Sequence, residues 1–252
     1  MGSRHHRTVG SLCAARWATV VPHEPPPITA TLLDIGIERR RAGTRISQQH
    51  RVWAGRTDGR RLPRVSSVAV LIPVKAFAEA KNRLAPALGA TERAALAREM
   101  ATHVVQSAAP LPVAVVCDDR GVRDWAHSVG AEVVWRPGTG LNGAVRSGVD
   151  HLRDAGYNRV IVAHGDLPLA GSLAPLGDWP GITLVPDRHN DGTNVIALPG
   201  DCPFEFSYGR GSFARHLAEA QRLGRSLRIL RDPSFGLDID LPADLNELAV
   251  RA

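Results

Sequence analysis

Short apolar runs alternate with longer amphipathic stretches from Val68 to the end of the chain. The apolar runs predict strands at 68–74, 113–117, 131–135, 159–166, 181–187, 194–200 and 227–232. The stretches between them predict helices at 91–108, 122–130, 141–156, 212–224 and 242–250. Buried strands that alternate with helices are typical of parallel strands joined by crossover helices. The pattern therefore predicts an α/β fold, a mainly parallel mixed sheet with helices on both faces.

The first 65 residues lack this periodicity. They contain a proline-rich stretch at 23–27, the ERRR run at 38–41, and many Gly, Thr and Arg residues. Segments of low hydrophobicity and high charge bury too little apolar surface to fold. We therefore expect residues 1–65 to be an Arg-rich N-terminal extension, disordered or non-essential, ahead of one domain at 66–252. A nucleic-acid-binding arm, or a translation start placed too far upstream, would have the same composition.

The positive charge of the chain is confined to that extension. The whole chain has a net charge of +6, but residues 65–252 carry 19 basic and 21 acidic residues. The region after residue 64 is therefore mildly acidic and has no general attraction for nucleic acid. Three widely spaced cysteines give no disulfide framework and no CxxC metal site. Because no apolar stretch approaches about 18 residues, we expect a cytoplasmic protein without a membrane partner.

The only two lysines of the chain, Lys75 and Lys81, lie close together. The other 29 basic residues are arginines, so lysine is kept only where a guanidinium does not serve. A lysine ammonium is a compact charge on a flexible stem that can reach a single phosphate oxygen. Both lysines follow the first predicted strand, where α/β folds bind anionic ligands. We interpret them as phosphate-binding residues; a solvated surface loop is the alternative.

Three aspartates follow predicted strands or lie in an extended segment. Asp166 comes directly after the RVIVAHG run, and Asp238 and Asp240 form a D-I-D pair whose side chains point to one side if the segment is extended. Carboxylates without nearby Cys or His ligands favour a hard cation such as Mg²⁺. The three would then share one metal site. Alternatively, Asp166 forms a turn or helix cap, and Asp240 caps the last helix.

Two Gly-rich segments enter helices, at 136–148 and 207–216. Neither has the GK[ST] of a P-loop, and the first predicted strand is not followed by the G-x-G-x-x-G of a dinucleotide-binding fold, which argues against both classes. Asn142 can pair with a purine edge through its amide. Gly209 and Ser212, with Thr193 at the start of a strand, can bind a second small anion. In the alternative interpretation, Ser212 is an ordinary N-cap.

Seven short motifs occur in an order that resembles a known family. They are IPVK at 72–75, AKNRL at 80–84, GLN at 140–142, GDLP at 165–168, DGTN at 191–194, YGRGSFARH at 208–216 and LDIDLPADL at 237–245. Together they resemble the 2-phospho-L-lactate or phosphoenolpyruvate guanylyltransferases of coenzyme F-420 biosynthesis. The resemblance spans residues 68 to about 248. It implies a nucleotidyltransferase α/β sandwich similar to the nucleotide-binding domain of GT-A enzymes.

The resemblance also implies roles for individual residues. Contacts to GTP would come from Lys75, Lys81, Arg83, Leu141, Asn142 and Ala144. Magnesium would be held by Asp166, Asp238 and Asp240. The phosphate and carboxylate of the acceptor would be held by Thr193, Gly209 and Ser212. Lys75, Lys81 and Asp166 would be the catalytic residues.

These observations predict a Mg²⁺-dependent guanylyltransferase. It would move GMP from GTP onto the phosphate of phosphoenolpyruvate or 2-phospho-L-lactate, release pyrophosphate, and hand its product to the next enzyme of the F-420 pathway. One alternative is a related nucleotidyltransferase with another acceptor, such as molybdopterin or a sugar phosphate. Another is a non-catalytic nucleotide- or nucleic-acid-binding protein that uses the basic extension.

Overall fold

The structure is a computed structural model, and it describes residues 68–251. The predicted Arg-rich extension at 1–65 lies outside the described residues, so its character and the domain boundary at 66 stay predictions. Within the described range, none of the helices is long and apolar enough to cross a membrane.

Every predicted strand and helix is present, with ends that differ by a few residues. The strands are β1 (Val68–Pro73), β2 (Val113–Cys117), β3 (Glu132–Trp135), β4 (Arg159–Ala163), β5 (Ile182–Pro186), β6 (Thr193–Pro199) and β7 (Leu227–Ile229). The helices are α1 (Ala90–Ser107), α2 (Arg120–Ser128), α3 (Gly140–Asp154), α4 (Ser212–Arg222), α5 (Pro233–Gly236) and α6 (Pro242–Arg251). The short helix α5 was not predicted; Asp232 caps it by accepting a hydrogen bond from the Ser234 amide.

The seven strands form one mixed sheet in the order β3-β2-β1-β4-β6-β5-β7. Every neighbouring pair is parallel except the two pairs that include β6. The carboxyl ends of β1 and β4 therefore meet the amino end of β6 at one edge of the sheet. The predicted mainly parallel, mixed sheet is confirmed.

Alternate residues of β1 face two different hydrophobic layers, as the pleat of a strand requires. Val70 and Ile72 pack in one layer with Val104 of α1 and Trp125 of α2. Leu71 packs in the other layer, which α3 and α4 cover. In α3, a Cβ on Gly148 would come within 2.6 Å of a Leu71 methyl carbon. Glycine at this position lets α3 lie directly on the sheet.

The pairing of β5 with β6 shifts at its last step. Val185 pairs with Val195, but Pro186 pairs with Thr193, so Asn194 has no partner in β5. Bulges of this kind re-aim side chains and are frequent beside active sites. The side-chain amide of Asn194 donates to the backbone carbonyl of Phe235 at 2.8 Å, which fixes the bulge. The antiparallel pairing of β4 with β6 places the amino end of β6 next to the loop that follows β4.

Candidate active site

An open cleft of about 730 Å³ lies at the edge of the sheet where β1 and β4 end and β6 begins. Its volume is in the range of small-molecule sites. Of the residues predicted from the sequence, those that line it are Lys75, Lys81, Arg83, Leu141, Asp166, Thr193, Gly209, Ser212, Asp238 and Asp240. Residues that are 165 positions apart in the chain therefore share one cleft.

The ammonium of Lys81 lies between two of the predicted metal ligands. Its Nζ is 2.5 Å from Oδ2 of Asp166 and 3.1 Å from Oδ1 of Asp240. Lys81 has a left-handed backbone (φ 56°) just ahead of a short 3₁₀ helix, Asn82–Leu84, and Leu84 is completely buried. A non-glycine residue in this conformation carries some strain. The buried Leu84 anchors the loop and directs Lys81 into the cleft.

The charges of this cluster stabilise each other against burial. Burial alone would lower the pKa of Lys81, but Asp166 and Asp240 outweigh it and raise that pKa above its ordinary value. Burial alone would likewise raise the pKa of Asp166, but the Lys81 ammonium and His164 outweigh it and lower it. Lys81 and Asp166 are therefore both charged at neutral pH.

At Asp238, burial and repulsion outweigh the favourable contacts. Its burial, followed by the neighbouring carboxylates of Asp166, Asp187 and Asp240, raises its pKa to about 6. The repulsion places Asp238 in the same electrostatic cluster as the other two predicted ligands. A carboxyl group whose pKa is raised by neighbouring carboxylates indicates a site with excess negative charge.

The segment that carries Asp238 and Asp240 is held by backbone hydrogen bonds. The Ile239 amide donates to the carbonyl of Asp166 at 3.4 Å. Oδ2 of Asp244, at the start of α6, accepts from the amides of Asp240 at 2.7 Å and Leu241 at 2.6 Å. Asp244 thus fixes the turn that enters the last helix, and the Asp240 side chain contacts Lys81 and Arg83 in the cleft.

The donor atoms of the cluster suit a hard divalent cation. Oδ1 of Asp166 is buried without a hydrogen-bond partner, and the carboxylates of Asp238 and Asp240 line the same cleft. Oxygen ligands of this kind match Mg²⁺. Between residues 68 and 251, however, no group of three or more His, Cys, Asp or Glu side chains is arranged around a common metal position. The Lys81 ammonium contacts both Asp166 and Asp240, so these side chains must rearrange to bind a cation together.

The other predicted nucleotide contacts differ in position. Lys75 is exposed in the cleft, and Nη1 of Arg83 lies 3.5 Å from Oδ2 of Asp240. Leu141 lies on the cleft wall, whereas Asn142 and Ala144 are not among the residues that line it. Oδ1 of Asn142 accepts from the amide of Tyr208 at 2.7 Å. The side-chain oxygen of Asn142 thus connects the start of α3 to the 207–212 loop.

Two of the predicted acceptor residues, Thr193 and Ser212, form a buried, uncharged part of the cleft, whereas Gly209 is exposed. Thr193 is 1% exposed and Ser212 is 2% exposed, and their hydroxyl oxygens lie 3.5 Å apart. Gly209 and Gly211 have φ angles of 112° and 71°, which glycine adopts without strain. The Gly211 amide is bound to Asp191 and the Ser212 amide to the carbonyl of Gly209. Ser212 therefore offers its hydroxyl to the cleft rather than its amide.

His216 belongs to this uncharged part, and the sequence reasoning missed it. It is completely buried, and its Nδ1 lies 3.0 Å from Oγ1 of Thr193. The preceding Arg215 donates to the carbonyls of Ser207 and Arg210 and holds the loop. The signal available in the sequence was position: His216 is four residues after Ser212, on the same face of α4.

The strand order, with β6 antiparallel to both of its neighbours, defines an α/β sandwich with a mixed, mainly parallel sheet. The fold is similar to solved structures of that class. A nucleotide-diphospho-sugar transferase of Desulfovibrio desulfuricans G20 has a TM-score of 0.62 at 19% identity, covering 73% of this chain and 86% of that one. A nucleotidyl transferase of Methanothermobacter thermautotrophicus has a TM-score of 0.53 at 16% identity, covering 73% and 97%.

Sequence comparison gives the family. The family described as "Guanylyl transferase CofC like" matches residues 68–252, and the chain belongs to that family. It is 37% identical to a phosphoenolpyruvate guanylyltransferase of Sphaerobacter thermophilus, over 75% of this chain and 95% of the relative. It is 30% identical to a 2-phospho-L-lactate guanylyltransferase of Methanothermobacter thermautotrophicus, over 71% and 82%. The family and the fold predicted from the sequence motifs are confirmed.

Proposed function

We propose that this protein transfers GMP from GTP to the phosphate of phosphoenolpyruvate or 2-phospho-L-lactate. The observation that carries the proposal is the division of the cleft. One side holds Lys75, Lys81 and three aspartates, and the other holds the buried hydroxyls of Thr193 and Ser212. The first side suits a triphosphate, and the second suits a small anion. Relatives named for each acceptor match the chain over more than two thirds of its length.

The reaction would be an in-line displacement at the α-phosphorus of GTP. An oxygen of the acceptor phosphate attacks that phosphorus, the bond to the β-phosphate oxygen breaks, and pyrophosphate leaves with the bonding electrons. The attacking oxygen is already anionic, so no general base is needed. Lys75, Lys81 and Arg83 would bind the phosphates of GTP, and Leu141 on the cleft wall would lie beside its guanosine. Asn142 and Ala144 belong to the same turn of α3, and contact with the guanosine would require them to be reached from the cleft. Catalysis would come from positioning and from charge neutralisation.

Asp166, Asp238 and Asp240 would hold Mg²⁺. A bound magnesium ion would supply positive charge that neutralises the phosphate oxygens. Two observations support this role: Oδ1 of Asp166 is buried without a hydrogen-bond partner, and burial and neighbouring carboxylates raise the pKa of Asp238. Lys81 would exchange its contacts with Asp166 and Asp240 for contacts with the phosphates of GTP.

Thr193, Gly209 and Ser212 would hold the phosphate and carboxylate of the acceptor. Thr193 and Ser212 are nearly completely buried, so the groups they present fit a small ligand better than a pterin or a sugar. The product is a mixed phosphoric anhydride, an activated species that the next enzyme of the F-420 pathway would consume. We propose the cytoplasm as the location, because GTP and both acceptors are cytoplasmic metabolites.

The test is a turnover assay on the full chain. The protein is incubated with GTP and Mg²⁺ and with phosphoenolpyruvate, 2-phospho-L-lactate or a sugar phosphate, and pyrophosphate release is measured. We expect release with at least one of the first two acceptors and none without acceptor. Release only with the sugar phosphate would overturn the choice of acceptor. No release with any acceptor, from folded protein that binds GTP, would overturn the proposed function.

A further inference from the structure

His216 makes two hydrogen bonds from inside the protein core. Its Nε2 accepts from the backbone amide of Ser207 at 2.9 Å, and its Nδ1 lies 3.0 Å from Oγ1 of Thr193. The residue is 0% exposed. Its ring is fixed by the rings of Phe204 and Tyr208, with centroids 5.6 and 4.9 Å away. Both ring nitrogens thus have one defined partner each.

The two partners determine which nitrogen carries the proton. A backbone amide can only donate, so Nε2 must be the unprotonated nitrogen that accepts from Ser207. A neutral imidazole with an unprotonated Nε2 has its hydrogen on Nδ1. The Nδ1–H therefore donates to Oγ1 of Thr193, and the Thr193 hydroxyl is the acceptor in that bond.

The environment of His216 keeps the ring neutral. Burial, followed by the positive charge of Arg215 and by His164, lowers its pKa to about 4, and Glu219 opposes this only weakly. At neutral pH the ring has one proton, and that proton is committed to Thr193. Oγ1 of Thr193 also accepts from the Ser212 hydroxyl at 3.5 Å. The hydroxyl hydrogen of Thr193 is then left for the cleft, which Thr193 lines.

We propose that His216 is a positioning residue that makes Thr193 a hydrogen-bond donor to the anionic acceptor. The hydrogen bonds run in one direction, from the Ser207 amide through His216 to Thr193, and end with an O–H directed at the cleft. Without the ring, the Thr193 hydroxyl is free to rotate and to present a lone pair to the anion instead. The inference rests on the proposed function, because it takes Thr193 as a contact to the acceptor.

The kinetic test uses two amide substitutions that each keep one of the two hydrogen bonds. In His216→Asn the shorter side chain can place its amide nitrogen near the position of Nδ1 and still donate to Thr193. In His216→Gln the longer side chain can place its carbonyl oxygen near Nε2 and accept from Ser207, but it leaves Thr193 without its donor. We expect His216→Gln to raise the acceptor KM about 10-fold or more, as the loss of a hydrogen bond to a charged group would. The KM for GTP should stay unchanged, and His216→Asn should stay within about threefold of the unchanged protein.

A merely structural histidine gives a different pattern. Both variants would then raise the acceptor KM equally or raise the KM for GTP as well, and either result would overturn the inference. Should the His216 variants fail to fold, Thr193→Val and Thr193→Ser provide the same comparison. The valine variant should raise the acceptor KM about 10-fold, and the serine variant, which keeps the hydroxyl, should not. Equal effects of the two would also count against the proposal.

A second measurement needs no turnover. The ¹⁵N signals of the His216 ring, assigned by their loss in His216→Asn, should show at pH 7 a protonated Nδ1 and an unprotonated Nε2. A proton on Nε2, or on both nitrogens, would overturn the inference. The two failures are distinguishable. If the unchanged protein releases no pyrophosphate, the proposed function is wrong. Normal release together with the opposite tautomer, or with equal KM changes in the two amide variants, would sink this inference alone.

Discussion

The two sides of the cleft are stabilised by different interactions: ion pairs on one side and hydrogen bonds between uncharged groups on the other. On the charged side, the side chains of Lys81, Asp166 and Asp240 are 9%, 24% and 47% exposed and are linked by ion pairs. On the neutral side, Thr193 and His216 are at most 1% exposed and are linked by hydrogen bonds between uncharged groups. The charged side can exchange partners when ligands arrive. The neutral side is fixed before any ligand binds.

The difference indicates which perturbation affects each side. A charge network responds to substitution of one charge, to salt and to metal ions, because the remaining charges lose their compensation. A buried neutral network responds to the loss of a single donor or acceptor and is insensitive to salt. Substitutions on the two sides should therefore change different measured quantities.

The largest effect is expected from Asp240→Asn. Asp240 is half-exposed and contributes one carboxylate to the charged side, so its replacement should leave the fold intact. The loss of a metal ligand worth several kcal/mol of charge stabilisation should reduce kcat about 100-fold or more. Pyrophosphate release measures the effect, and circular dichroism checks the fold. Asp154→Asn, a matched change at the exposed end of α3, should leave kcat unchanged. Full activity of the Asp240 variant would remove Asp240 from the proposed metal site.

The second prediction concerns competition between Lys81 and a metal ion. Without divalent cations, Lys81→Met leaves Asp166 without its closest positive charge and should lower the free energy of unfolding by about 1–3 kcal/mol. Adding Mg²⁺ should stabilise this variant more than the unchanged protein, because no ammonium has to leave. Urea denaturation with EDTA or with Mg²⁺ measures both effects. Lys75→Met, at an exposed lysine, is the control and should change stability little. Equal stabilisation of the variant and the unchanged protein by Mg²⁺ would contradict the competition.

The third prediction uses pH, because the two sides should respond to it in opposite directions. The pKa of His216 is about 4 in the folded protein, below its ordinary value of 6.5, so its contribution to stability is present above pH 6.5 and is lost as pH falls towards 4. The pKa of Asp238 is about 6, above its ordinary 3.8, so its penalty is absent below pH 4 and grows as pH rises to 6. Each contribution amounts to about 1–3 kcal/mol across its window.

Urea denaturation in EDTA between pH 4.5 and 7.5 separates the two contributions. Relative to the unchanged protein, Asp238→Asn should gain stability as pH rises from 4.5 to 6, and His216→Asn should lose stability over the same range. The comparison between variants cancels the contributions of the other charged groups near each site, which are the same in all three proteins. Parallel curves for all three proteins would show that neither side chain titrates as described.

The fold was largely predictable from the sequence because its buried runs are long enough to identify strands. The end of β4 was not predictable. Its pairing with β6 stops at Ala163, and after one more hydrogen bond, from the His164 amide to the carbonyl of Asn194, the chain turns away. The strand-end aspartates were also predictable from that pattern. Their ion pairs were not, because Lys81 is 85 residues from Asp166 and 159 from Asp240 in the chain. His216 was missed because an inward-facing histidine on an amphipathic helix has the same periodicity as a core residue.

The smallest effect is expected from Arg83→Ala, at the solvent-exposed edge of the charged side. The Arg83 side chain is 74% exposed and only 3.5 Å from Asp240, so its removal should change stability by less than about 0.5 kcal/mol. Its charge still faces the phosphates of GTP in our proposal, and the KM for GTP should rise about two- to fivefold at low salt. The effect should fade as ionic strength rises, because an exposed charge is screened, whereas the acceptor KM of His216→Gln should not depend on salt. Arg120→Ala, at an exposed arginine on α2, should leave the KM for GTP unchanged. If the Arg83 effect persisted at high salt, Arg83 would be a close, partly desolvated contact to GTP. The edge of the cleft would then not behave as part of an exchangeable charged side.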